Sequence, residues 1–172
     1  MFKCNERPGS LEVCEILEFC VVLQPQDKEI LNHAVIQRFG NPLQPIFMFK
    51  EDILINDLSY QKPIVFPLYN ADIEVIKLAI VQDGKLVRFS TGSIARGFAY
   101  CGQLKKDRPL IITYGLEAFF KIAETDYPVV LVVLPSLCNQ NPIELKENDF
   151  EQINFVINQL VKANYQQLYI PV

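Results

Sequence analysis

The sequence predicts an α/β fold in which an antiparallel β segment leads into a βαβαβ parallel-sheet unit, preceded by a short N-terminal helical pair. Three observations predict it. Near Pro63 the hydrophobic period changes from helical spacing to short strand-like runs. Asp83-Gly84 between two of those runs is a strong hairpin signal, because Gly tolerates the positive φ that a two-residue turn demands. Beyond Arg108, continuous apolar runs alternate with helical stretches, the pattern of parallel strands covered on both faces. A chain of 172 residues is expected to hold one domain with an appendage, here a helical segment over 1–45 and an α/β domain over 46–172.

Ser10 is placed to cap a first helix over residues 11–23, with Glu12, Glu15 and Glu18 spaced by three and Pro25 ending it. Asp27 starts a second helix whose Ile30, Leu31, Ala34, Val35 and Phe39 follow helical spacing, and Gly40-Asn41-Pro42 stops it. Residues 41–62, with Pro42, Pro45 and Asn56-Asp57, read as an irregular connection holding short extended pieces. Strands are expected at Ile64–Tyr69, Val75–Gln82, 85–90 and 98–101, with Gly92, Gly97 and Gly102 punctuating the chain from residue 90 onward. Leu110–Thr113 reads as a buried strand, and Gly115 opens a helix through Glu124. Pro128 starts a second apolar strand over 129–134. Asn148 or Asp149 caps a longer helix with Ile153, Val156, Ile157, Leu160 and Val161 on one stripe, and 168–170 is a third strand.

Composition narrows the function. Hydrophobic residues at 50% and charged residues at 21% exclude a largely disordered chain. With 16 Lys+Arg against 20 Asp+Glu, and a pI of about 5.1, the protein does not neutralise phosphates across its whole surface. No apolar run approaches the ~20 residues of a membrane span, and residues 1–20 show no basic region ahead of an apolar core. A cytoplasmic protein without membrane partners is therefore expected. The five Cys, an odd number without CxxC spacing, are expected as reduced thiols, with Cys14 and Cys20 in the core and Cys138 in a polar loop as the one reactive thiol. The single His, His33, lies mid-helix between Asn32 and Ala34, so neither a zinc cluster nor a His-assisted nucleophile is expected.

The stretch from Arg108 to Asn139, RPLIITYGLEAFFKIAETDYPVVLVVLPSLCN, resembles the Toprim domains of plasmid and phage primases. In that family a strand ends in Glu-Gly, a helix follows, and a second strand beginning Pro-Val-Val runs into a small-residue loop ending in Asn. The hairpin at Asp83-Gly84, with Gly92, Arg96-Gly97 and Gly102, is similar to the β segment that precedes Toprim there, so the resemblance spans roughly residues 63–172. It implies a replication or mobile-element context. Toprim catalysis also implies Mg²⁺ held by a Glu at the end of the first strand and an Asp-x-Asp after the third, because hard divalent cations take clustered carboxylate oxygens. Here Tyr114 stands in the first position, Gly115 is retained, and Leu168-Tyr169-Ile170-Pro171-Val172 carries no acidic pair. No metal site and no cofactor are expected. Glu117 is the one weak catalytic candidate, and near a helix N-terminus a Glu chiefly favours the helix dipole.

Two further groups are candidate sites. Arg96, Lys105, Lys106 and Arg108, beside glycines and Tyr100, form a basic window of the kind that tracks a phosphate backbone, or else a solvated loop. Tyr114, Gly115, Ser136 and Asn139 are expected at the carboxyl ends of the parallel strands, where open α/β sheets bind ligands. The function expected is that of a non-catalytic Toprim-like protein binding nucleic acid or a replication protein. The alternatives are a phosphoryl-transfer enzyme using the Tyr114–Glu117 cleft, and a protein–protein interaction module whose acidic helices over 10–40 dock a partner.

Overall fold

Two strands whose side chains are apolar on both faces hold the centre of the fold: β6 (Ile64–Tyr69) and β7 (Val75–Gln82), paired antiparallel from Ile64↔Val81 to Tyr69↔Val75. The computed structural model describes residues 3–4, 13–26, 36–37, 42–55, 57–82, 85–90, 96–134 and 145–170. Around the central pair lies a five-stranded antiparallel sheet, completed by β2 (Cys20–Leu23), β3 (Ile46–Phe49) and β8 (Lys85–Phe89) in the order β2-β3-β6-β7-β8. Because strand side chains alternate, the sheet feeds two cores. Ile64, Phe66 and Leu68 enter one, while Val65 enters the other beside Leu78 and Ile80.

The second core is covered by helix α1 (Val13–Leu17), through the fully buried Ile16, and by a small sheet. In that sheet β4 (Ile53–Ile55) pairs in parallel with β1 (Lys3–Cys4) and antiparallel with β5 (Leu58–Tyr60).

The first core is shared with a mixed sheet of β9 (Ala99–Cys101), β10 (Leu110–Thr113), β11 (Val129–Leu131) and β12 (Leu168–Tyr169), in the order β12-β10-β11-β9. Strand β10 pairs in parallel with both β11 and β12, and β9 adds antiparallel at the edge with Leu131↔Ala99 and Val129↔Cys101. Helix α2 (Leu116–Ala123) lies between β10 and β11 in sequence, and α3 (Glu147–Lys162) between β11 and β12. They cover opposite faces. Phe119 and Phe120 of α2 meet Val129, Leu131 and Phe66, whereas Ile153, Val156 and Leu160 of α3 meet Leu110, Ile112, Val130 and Val132. The Phe66 ring stands edge-on to Phe119 at 5.9 Å between centroids, so α2 joins the two larger sheets. An isolated antiparallel bridge, Tyr69↔Phe98, also links them, with Tyr69 N–H donating to Phe98 O at 2.8 Å.

The fold is thus mixed α/β, an antiparallel sheet beside a mixed sheet with parallel pairs. Several elements differ from the expectation. The helix expected over 11–23 ends at Leu17, and Cys20–Leu23 is a strand in register with β3 from Cys20↔Phe49 to Leu23↔Ile46. Local spacing suited a helix, but the β-branched Val21 and Val22 favour the ladder that β3 offers. The short extended pieces expected within 41–62 are three strands, β3, β4 and β5. Asp149 is not the first cap of α3; it sits in the first turn, 1% exposed, and its carboxylate accepts a hydrogen bond from Lys146 N–H at 3.0 Å. The second helix expected from Asp27 falls outside the described residues apart from 36–37, as does the Asp83-Gly84 turn, whose flanking Gln82 and Lys85 face each other across β7 and β8.

Candidate functional site

The parallel strands have two ends, and they differ chemically. At the carboxyl end, Thr113 is 2% exposed and its hydroxyl donates to Val130 O at 2.8 Å, which satisfies a buried polar group within the sheet. Tyr114 is half-buried against the apolar cluster of Ile112 and Val132. Gly115, in extended conformation at φ −121°, precedes α2, and its carbonyl accepts from Phe119 N–H at 3.1 Å. Glu117 is exposed on the first turn of α2. Its Oε1 accepts from Lys121 Nζ at 2.9 Å, an exposed ion pair one helical turn apart. Ser136, Asn139 and Cys138 lie outside the described residues.

The amino end is built differently, because β9 runs opposite to its neighbours and delivers its own carboxyl end there. Gly102 follows at φ +88°, and a Cβ added to it would lie 3.1 Å from the Cα of Pro128, just ahead of β11. Only glycine meets both conditions without strain. The chain then makes a turn closed by Arg108 N–H donating to Lys105 O at 3.4 Å, and Pro109 leads into β10. Lys105, Lys106 and Arg108 are all exposed on this turn, with the exposed Asp107 among them.

Beside the turn opens a cavity of about 380 Å³ whose walls include Gln44, Tyr100, Gly102, Gln103, Leu104 and Tyr165. Four separate stretches of chain converge on it, since Ile73, from the β6–β7 connection, also contributes. Tyr100 stacks obliquely on Tyr69 at 4.9 Å between ring centroids. Burial pushes both phenols above the usual tyrosine range, and the neighbouring Tyr165 adds to the rise at Tyr100, as Tyr100 does at Tyr69. Their hydroxyls therefore remain neutral donors and acceptors well into alkaline pH. Tyr165 is buried where α3 ends, with its N–H donating to Leu160 O at 3.0 Å and the preceding Asn164 at φ +70°.

The basic residues grouped by sequence divide accordingly. Lys105, Lys106 and Arg108 share one turn, while Arg96 lies ahead of β9, toward the carboxyl ends of the parallel strands. Its guanidinium stands 4.7 Å from the centroid of the Phe155 ring on α3, a cation–π contact. Gln44, Gln103 and Tyr165 carried no local sequence signal, since they meet only through the tertiary fold. Among the described residues no three metal-ligating side chains cluster, and no helix is long and apolar enough to cross a membrane. No protein-family model, curated protein or solved structure matches the chain.

Proposed function

We propose that the chain is a non-catalytic, Toprim-like α/β protein of a replication or mobile-element context, and that it binds nucleic acid through the turn over 105–108. In this reading the β10-α2-β11-α3-β12 succession is the Toprim-like unit, following the resemblance of residues 108–139. The observation that carries the binding is the exposed turn itself. It concentrates Lys105, Lys106 and Arg108 beside a cavity walled by tyrosine and glutamine in an otherwise acidic protein. The non-catalytic part rests on residue chemistry at the opposite end. A neutral phenol, Tyr114, stands where Toprim chemistry needs a carboxylate, and Glu117 is engaged by Lys121. A phosphoryl-transfer site built on Glu117 would have to break that pair and recruit ligands from elsewhere.

Fluorescence anisotropy with labelled oligonucleotides at low salt tests the reading. Three contacted phosphates give a slope of log K against log salt of about −2 to −3, and Asp107 within the turn favours the shallower value. The triple substitution Lys105→Ala, Lys106→Ala, Arg108→Ala should abolish binding, while Arg96→Ala, remote from the turn, should weaken it far less. Indistinguishable behaviour of wild type and the triple variant would sink the nucleic-acid reading. The interaction module would then be the better account.

A further inference from the structure

We propose that the cavity beside the 105–108 turn receives an unpaired nucleobase, so that the protein selects single-stranded nucleic acid over duplex. This rests on the nucleic-acid reading above and adds the form of strand recognised. The argument starts from a division of chemistry. None of the residues walling the cavity is charged, and Gln44 and Gln103 each carry a donor and an acceptor on one planar amide. Such groups match the edge of a base, whose donors and acceptors also lie in one plane. Tyr100 and Tyr165 line the recess with phenol rings, and burial holds the Tyr100 hydroxyl in its neutral, hydrogen-bonding form. The positive charge lies outside, on Lys105 and Lys106, immediately after the cavity residues Gln103 and Leu104. An uncharged, largely polar recess that carries two tyrosines and has lysines on one rim suits a nucleotide: base inside, phosphate outside.

Size and charge on the far rim agree. About 380 Å³ lies within the ~300–1,000 Å³ usual for small-molecule clefts and leaves room for one base. The exposed Asp72 and Glu74, on either side of the lining residue Ile73, repel phosphates, which favours the strand's backbone on the lysine side. A paired base cannot enter, because its hydrogen-bonding edge is occupied and its faces are stacked. Discrimination against duplex follows from that exclusion.

The test compares anisotropy titrations of a labelled oligothymidylate and a labelled duplex against the wild-type chain, Tyr100→Ala, Tyr100→Phe and Gln103→Ala. Wild type is expected to bind the single strand about tenfold tighter than the duplex, the scale of one base–aromatic stack. In Tyr100→Ala and Gln103→Ala the ratio should fall towards one, while Tyr100→Phe, which keeps the ring, should preserve most of it. Gln103 is exposed, so its variant decides the matter if Tyr100→Ala proves unfolded. Equal wild-type affinity for strand and duplex, with binding still lost in the triple turn variant, would overturn the cavity's role and leave the nucleic-acid reading standing. Absence of binding to either probe would overturn both. Displacement of the oligothymidylate by micromolar thymidine monophosphate would overturn the strand as the source of the base and assign the recess to a free nucleotide.

Discussion

The two ends of the mixed sheet follow opposite designs. Among the described residues at the carboxyl ends of β10 and β11, Thr113 bonds within the sheet and Glu117 holds Lys121. The strand expected over 129–134 ends at Leu131, and Val132, Val133 and Leu134 beyond it are fully buried. At the amino ends stand a cavity with neutral hydrogen-bonding walls and an exposed cationic turn. Open α/β sheets ordinarily place their ligands at the carboxyl ends, where loops and helix N-termini gather. The site proposed here lies at the other end, and one strand accounts for its being there. By joining antiparallel, β9 carries its own carboxyl-end loop to the amino side and brings Gly102 and the lysines with it. In that proposal, the direction of the edge strand sets the place of the site as much as the parallel core does.

The contrast can be broken by experiment, and the largest effect is expected at the carboxyl end. Leu116, 1% exposed at the start of α2, is there for packing, so Leu116→Ala should destabilise the protein by about 2–5 kcal/mol in urea unfolding. Any nucleic-acid affinity of the folded fraction should be unchanged; a specific loss of binding at normal stability would give that end a functional role.

Next in size is the effect of Gly102→Ala at the amino end. Positive φ and the close approach to Pro128 should together cost about 1–3 kcal/mol and also disturb the cavity. A variant as stable as wild type would mean that the turn is not held as described. An alkaline loss of stability should accompany both. Burial raises the Cys20 thiol to about 12 and raises that of Cys101, where backbone hydrogen bonds from Gln44 and Gly102 partly oppose it. A raised folded pKa means stability that is full below the unfolded value, near pH 9, and that declines as pH climbs toward the folded one. Tyr69 and Tyr100 add to the decline above pH 10, their ordinary value. Thermal melts from pH 7 to 11 should show it, and a flat profile would contradict the burial of these groups.

Smaller changes sharpen the comparison. Thr113→Val, which removes the bond to Val130, should cost about 1 kcal/mol by the same unfolding assay. Glu117→Gln breaks only an exposed helical pair and should shift stability by less than about 0.5 kcal/mol. A saturable Mg²⁺ titration in the micromolar range, abolished by Glu117→Ala, would instead restore a metal centre at the carboxyl end.

Much of this architecture was legible locally. The bounds of β6, β7 and β10 follow from their apolar runs and flanking breakers, and α2 and α3 from helical stripes. The error over residues 20–23 has a definite cause, because Cys20-Val21-Val22-Leu23 continues an acidic–apolar helical spacing and becomes a strand only by pairing with β3. That partner is itself obscured by Pro42 and Pro45. The candidate site was legible in part. The basic residues stood out by composition, but their spacing could not reveal that β9 separates Arg96 from the lysines. The cavity was invisible for a plainer reason: Gln44, Tyr100 and Tyr165 come from distant stretches that only the packed sheets bring together.

Gly102 also bears on how the molecule behaves at high concentration. β9 is an edge strand, and an unpaired edge is a template for another chain to add itself and begin aggregation. At its start the edge is occupied by the Tyr69↔Phe98 bridge, and after three residues the left-handed turn at Gly102 swings the backbone out of line. Beyond that turn the chain becomes a charged segment with Lys105 and Lys106, the residue type that discourages strand-to-strand association at sheet borders. The same glycine that lines the recess therefore keeps β9 to three residues, a short edge that offers another chain little to pair with.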